Sequence, residues 1–287
     1  MAEVTALFPL LLLVAALAPF GLGVLLAAAS GFPPSGPALA AEILAVAALA
    51  LAALASREAY APEIGRFPPW GGLDPAAWRR LAYACLALAG LLALLLQGAW
   101  GTGEFTIPLA GLGILAGYFV FAPPLAWQRR GAGEFWGGLC LGLLPVLAGF
   151  YLQSRQLVSE ISLYGVPLSL AAFNLFLLLG FPDPGRESAA PRQTLAARLG
   201  PVGAALLYTI VNILVVLALG FNLLFPAASS SGQPWLWALI GLALIIQEMI
   251  KRRAYYQAAR LQLLCFLTLA LHLGMSLVFA LGLWGRL

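Results

Sequence analysis

The chain has 287 residues, of which 62% are hydrophobic and only 9% charged. Soluble domains carry roughly a quarter of their residues as charge, so this composition excludes a sizeable water-soluble domain and points to a bilayer. The net charge of +4 suggests an anionic partner, but its distribution along the chain points to membrane topology instead.

Nine apolar stretches follow one another: about 5–29, 37–55, 81–99, 106–123, 136–153, 161–180, 201–225, 234–250 and 261–285. A bilayer span takes about 20 mainly apolar residues. Lipid offers no partner for open backbone groups, so each span is expected to be helical. The expectation is an all-α polytopic bundle of nine transmembrane helices around a central cavity, forming one domain over 1–287. The first stretch lacks a basic flank, its early charge being Glu3. It reads as a retained helix rather than a cleaved leader.

Pro19, Pro108, Pro145 and Pro167 fall inside spans and are expected to kink them. Gly21 with Gly23, Gly113 with Gly117, and Gly138 with Gly142 read as small residues that let helices approach. Cys85, Cys140 and Cys265 lie far apart and suggest neither disulfides nor a metal site. Asn174 and Asn212 read as interhelical hydrogen-bonding groups. His272, the single histidine, reads as a packed and satisfied imidazole. The basic, aromatic KRRAYYQAAR (251–260) reads as a membrane-surface anchor.

Thirteen of the fifteen basic residues fall in the even-numbered loops, against Arg155 and Arg286 elsewhere. That asymmetry predicts a cytoplasmic N-terminus and cytoplasmic even loops, with basic segments suited to an anionic leaflet. Nucleic acid is not expected as a partner. The odd loops, such as GFPPSGP (31–37) and PAASSSGQP (226–234), have turn compositions. Loops 56–80 and 182–200 are long and charged, the composition of a cap or a site.

The chemistry concentrates in FPDPGRESAAPRQTLAARLG (181–200). This segment resembles, without a gap, the second acidic motif of the UbiA-type intramembrane prenyltransferases, especially the menaquinone branch, whose typical form is F-P-D-Y-x-x-D-x-x-x-G-K-x-T-L-x-x-R-L-G. Phe181, Pro182, Asp183, Thr194, Leu195, Arg198, Leu199 and Gly200 match directly. Glu187 stands at the second Asp, and Arg192 at the Lys. Pro184 and Pro191 depart from the pattern. Tyr118, Pro123, Pro124, Arg130, Gly131, Gly133 and Glu134 are similar to the family's run before its fifth helix. Glu134 is expected either to cap that helix or to join the site.

The resemblance implies a bacterial or archaeal membrane enzyme with its site on the cytoplasmic side. It implies a polyprenyl diphosphate donor, an aromatic acceptor in quinone-type lipid biosynthesis, and Mg2+. The family's first acidic motif, N-D-x-x-D-x-x-x-D, aligns with REAYAPEIG (57–65). There Arg57 takes the Asn place, Glu58 the first Asp, Ala61 the second and Gly65 the third, with Glu63 close by. Metal ligands implied are Asp183, Glu187, Glu58 and Glu63. Catalytic roles fall to Asp183, Glu187 and Glu58, and diphosphate contacts to Arg130, Arg192, Arg198 and Arg57. The altered first motif keeps open a second expectation: a catalytically degenerate relative that binds a prenyl lipid or quinone, alone or as a subunit of a membrane complex.

Overall fold

The computed structural model describes residues 8–62, 72–182, 194–224 and 233–285. Its α-helices are α1 (Phe8–Ala29), α2 (Gly36–Tyr60), α3 (Pro75–Gly98), α4 (Thr106–Gly117), α5 (Gly133–Leu141), α6 (Leu143–Ser154), α7 (Glu160–Leu179), α8 (Leu195–Leu224), α9 (Gln233–Lys251) and α10 (Ala258–Trp284). Single 3-10 turns lie at Tyr118–Val120, Trp127–Arg130 and Ala254–Tyr256. Among the described residues, eight helical segments are long and apolar enough to cross a membrane, α5 and α6 together forming one of them. The shorter apolar segment Thr106–Val120 stands where the fourth span is expected. The chain is an all-α, multi-pass membrane protein.

Several ends differ from the sequence expectation for local reasons. α3 begins at Pro75, because the Asp74 carboxylate caps it by accepting from the Ala77 N–H at 2.7 Å. Arg79 and Arg80 therefore ride on a helix rather than in a loop. α2 continues to Tyr60 and carries Arg57 and Glu58 in its last turns. The fifth span is not continuous. It breaks at Gly142, where a Cβ would overlap the backbone of Ser169, and α6 restarts with its Leu143 N–H donating to Ser169 Oγ at 2.8 Å. Pro145 thus sits in the first turn of α6, and Pro108 in that of α4, where a missing N–H costs little. The kinks expected there are helix starts.

Pro19 and Pro167 do lie inside helices. A proline leaves the carbonyl four residues earlier without its helix donor. For Pro19 that carbonyl is Ala15, and His272 Nε2 stands 3.2 Å from it. For Pro167 it is Leu163, and Asn222 Nδ2 donates to it at 3.2 Å. Each freed acceptor is met by a side chain from a later helix, as the low-dielectric interior requires.

Helix pairs pack through small residues. A Cβ at Gly23 of α1 would overlap the Val146 carbonyl of α6, and one at Gly149 of α6 would overlap the Phe20 carbonyl of α1. The pairing of Gly138 and Gly142 against α7 is as expected, whereas Gly21 faces no side chain or neighbouring backbone among the described residues. Polar groups join the C-terminal helices. Asn174 Nδ2 donates to the Tyr208 carbonyl, and Asn212 Nδ2 to the Ala243 carbonyl and Gln247 Oε1. The interhelical roles expected for both asparagines are observed. The three cysteines form no disulfide.

Candidate functional site

An apolar cavity of about 180 Å³ lies between α1, α2, α4, α5, α6 and α7. α2 runs along its length. Val46 lines one end together with Leu109 and Ala148, and Arg57, close to the C-terminus of α2, lines the other with Gln128. Among the described residues that line it, Arg57 and Gln128 are the strongly polar ones and the rest are mainly apolar. The polar end is the end of the bundle that carries the even loops.

Arg57 is 7% exposed and Glu58 5%. Nη1 of Arg57 lies 3.0 Å from Oε1 of Glu58. Arg57 is among the residues that line the cavity, and Glu58 is not. A cation in the last turn of a helix also sits favourably in the field of its carbonyls. Arg57 comes from the aligned first motif. Glu63 of that motif lies outside the described residues.

Gln128 is 2% exposed; its Nε2 donates to Glu134 Oε1 at 3.4 Å, and its Oε1 has no hydrogen-bond partner among the described residues. Glu134 is fully buried. Its Oε1 accepts the Leu195 N–H at 3.0 Å, so it caps α8 as well as standing in the first turn of its own helix, where its own N–H also reaches it. Thr194 completes the junction: Oγ1 donates to the Gly180 carbonyl at 2.9 Å and accepts the Ala197 N–H at 3.2 Å. The two motif segments are therefore locked together at residues 134 and 194–195. Both flanks of the second acidic motif are thereby positioned. Asp183, Glu187 and Arg192 themselves lie outside the described residues.

The motif's glycine has a backbone reason. Gly200 has φ 70° and ψ 168°, a region that essentially only glycine occupies. It kinks α8 just before Pro201, which disfavours a helical conformation in the residue ahead of it.

The remaining arginines are engaged with backbone. Arg198 Nη2 donates to the Arg129 carbonyl at 3.1 Å, Arg129 Nη2 to the Tyr60 carbonyl at 2.9 Å, and Arg130 Nη2 to the Pro124 carbonyl at 3.1 Å. Arg198, expected to contact diphosphate, thus bridges α8 to the loop before α5. Arg130 is exposed on that loop. Phe181 packs on Tyr255 with ring centroids 5.5 Å apart. Tyr255 is buried, which corrects the reading of segment 251–260 as purely a surface anchor: one of its aromatics is a wedge under the second motif. Burial holds the Tyr255 phenol above its ordinary pKa.

Sequence reasoning missed three groups. Tyr60 and Tyr83 place their hydroxyls 3.2 Å apart, and Tyr60 reaches the Tyr118 hydroxyl at 3.4 Å. The proximity follows from α2 packing on α3, which no spacing reveals. Gln128 belongs to the same list, hidden between two arginines and a tryptophan. Glu42 did leave a signal, a lone acid inside an apolar run. It is 1% exposed, its Oε2 accepts from Gln153 Nε2, and its Oε1 has no partner among the described residues.

Magnesium needs a near-octahedral set of oxygen ligands. The described residues do not fit that demand on the first-motif side. Glu58 is matched to a guanidinium, Ala61 stands at the second acid place, and Glu134 is turned towards a helix end. Among the described residues, no three of His, Cys, Asp or Glu come together as a metal site.

The fold matches the apo structure of a UbiA homologue from Aeropyrum pernix K1, with a TM-score of 0.70, 16% identity, and coverage of 92% of this chain and 96% of that one. In sequence the chain is similar to 1,4-dihydroxy-2-naphthoate octaprenyltransferase of Bacillus subtilis (strain 168), 27% identical over 172 residues. That match spans 58% of this chain and 52% of the relative, about half its length. No family model matches the chain. The chain thus has the fold of a UbiA homologue and is similar in sequence to a naphthoate octaprenyltransferase over part of its length.

Proposed function

We propose that the protein transfers a polyprenyl group from a prenyl diphosphate to an aromatic acceptor in quinone-type lipid biosynthesis, with its site facing the cytoplasm. One observation carries this reading. A largely apolar cavity carries the buried Arg57 at one end with Gln128, which bonds the Glu134 that caps the helix after the second acidic motif. A prenyl diphosphate has the complementary form, a long apolar tail on a compact anion. The tail would lie along α2 and α6, and the diphosphate would meet Arg57. Arg192, and Arg130 from the adjacent loop, would add positive charge around the leaving group. Breaking the C1–O bond leaves the electron pair on diphosphate and an allylic cation. An aromatic ring carbon then bonds to C1 and loses its proton.

Asp183 and Glu187 are the carboxylates proposed to act on that diphosphate, and magnesium, on this reading, belongs to their side of the site. The test is direct. Purified protein in lipid nanodiscs is given a prenyl diphosphate, magnesium and 1,4-dihydroxy-2-naphthoate or another phenolic acceptor, and diphosphate release is followed. Release that depends on acceptor and disappears in Asp183→Ala supports the reading.

A second reading rests on the Arg57–Glu58 pair. A site whose first-motif carboxylate is already matched by an internal cation suits retention of a prenyl lipid without turnover. Absence of release with every acceptor, together with a prenyl lipid co-purifying in the absence of magnesium, would favour it.

A further inference from the structure

We infer that Arg57 is a built-in cation that takes the place of a first-motif metal ion and binds the anionic head of the prenyl ligand directly. The inference rests on the reading of the cavity as a prenyl diphosphate site, and it makes a claim that reading does not: the headgroup is gripped without a divalent ion on the α2 side.

The argument is electrostatic. A dication drawn to Glu58 would find that oxygen 3.0 Å from a guanidinium. At such range two positive charges repel by several kcal/mol even at an effective dielectric of about 20. Glu58 also brings no second acid one turn on, since residue 61 is a fully buried alanine. The arrangement suits a different task. A guanidinium is a planar fork of donors matched to phosphate oxygens. Burial strengthens its pull on an anion. Glu58 holds the guanidinium at 3.0 Å while Arg57 lines the cavity, whose apolar residues would receive the tail. Glu58 is thus a positioning residue, and Arg57 the binding one.

The test uses the full chain in detergent or nanodiscs and a thiodiphosphate analogue of farnesyl diphosphate, which resists ionisation, with affinity read by tryptophan fluorescence. In EDTA the wild type should bind, with magnesium tightening the affinity by no more than about tenfold, or ~1.4 kcal/mol. R57Q/E58Q removes both members of the ion pair together. It should lose about 10- to 100-fold in EDTA, in line with a charge-assisted phosphate contact. R57K, which keeps the charge and loses the fork, should fall between the two. The melting temperature of each variant shows whether it is folded, and R57K carries the test should the double variant not fold. Wild-type binding that appears only with magnesium would overturn the role of Arg57 and leave the prenyl diphosphate reading intact. Wild-type affinity retained in R57Q/E58Q, or in R57K if that variant carries the test, would do the same. No binding with or without magnesium would overturn both.

Discussion

His272 Nε2 lies 3.2 Å from the carbonyl oxygen of Ala15, 257 positions away in sequence. That oxygen lacks a helix donor because Pro19 stands four residues on. Nδ1 of the same ring lies 3.2 Å from the Leu168 carbonyl. A neutral imidazole donates through one nitrogen only. The acceptor deprived of its helix bond is the one with most to gain, so the Nε2–H tautomer is assigned.

This relationship predicts a coupling. His272→Leu should lower stability by about 1–3 kcal/mol, the cost of an orphaned buried acceptor. In a Pro19→Ala background, the N–H restored at that position can donate to the Ala15 carbonyl, and the same change should cost less by about 0.5–1.5 kcal/mol. Melting of the four proteins of the cycle in detergent checks it; equal costs in both backgrounds would contradict the assignment.

The junction of the two motif segments gives a second expectation. Glu134→Gln keeps an acceptor for the Leu195 N–H and should retain fold and ligand affinity. Glu134→Ala uncaps α8 and should cost about 1–2 kcal/mol, with prenyl diphosphate binding weakened as the 194–195 anchor loosens. Affinity measured alongside melting separates the two effects.

A third follows from the kink. Gly200→Ala forces an L side chain into φ 70°, ψ 168°, at a cost of about 1–3 kcal/mol. Diphosphate release should fall with it, because α8 then leaves the Thr194 junction at a different angle. Ala197→Ser, one turn earlier on the same helix, serves as the comparison and should change little.

Cavity length gives a fourth. Ala148 lines the end away from Arg57. Ala148→Phe should weaken long prenyl diphosphates by about tenfold or more while sparing short ones, since overpacking costs about 1–3 kcal/mol only where the tail reaches. A chain-length series of competitors measures it. Uniform weakening across the series would place the tail elsewhere.

Much of the fold was legible because lipid leaves a chain few options. Apolar run lengths marked out the spans, and the all-α class followed. Asn174, Asn212 and His272 were readable as packed polar groups because nothing else is tolerated at those depths. The helix ends were less legible. Asp74 as a cap, the restart after Gly142 and the continuation of α2 to Tyr60 depend on single hydrogen bonds and contacts. At the site, the motif resemblance named Glu58 as a metal ligand and Arg198 as a diphosphate contact, and it carried no sign of what stands beside them. Their neighbours in space are Arg57 and the Arg129 carbonyl, and pairings of this kind are set by rotamers rather than spacing. Gln128 and Tyr83 carried no sequence signal because their roles exist only once separate helices are packed.

The reciprocal approach of Gly23 to Val146 and of Gly149 to Phe20 reaches beyond packing. α1 supplies Phe8, Leu12 and Ala16 to the lining of the cavity, and α6 supplies Leu144, Pro145 and Ala148. The spacing of these two lining helices is therefore set by two hydrogen atoms, at points outside the lining. A methyl group added at either glycine would push the two helices apart without changing any residue that lines the cavity, so its dimensions can drift through positions that a comparison of lining residues would never inspect.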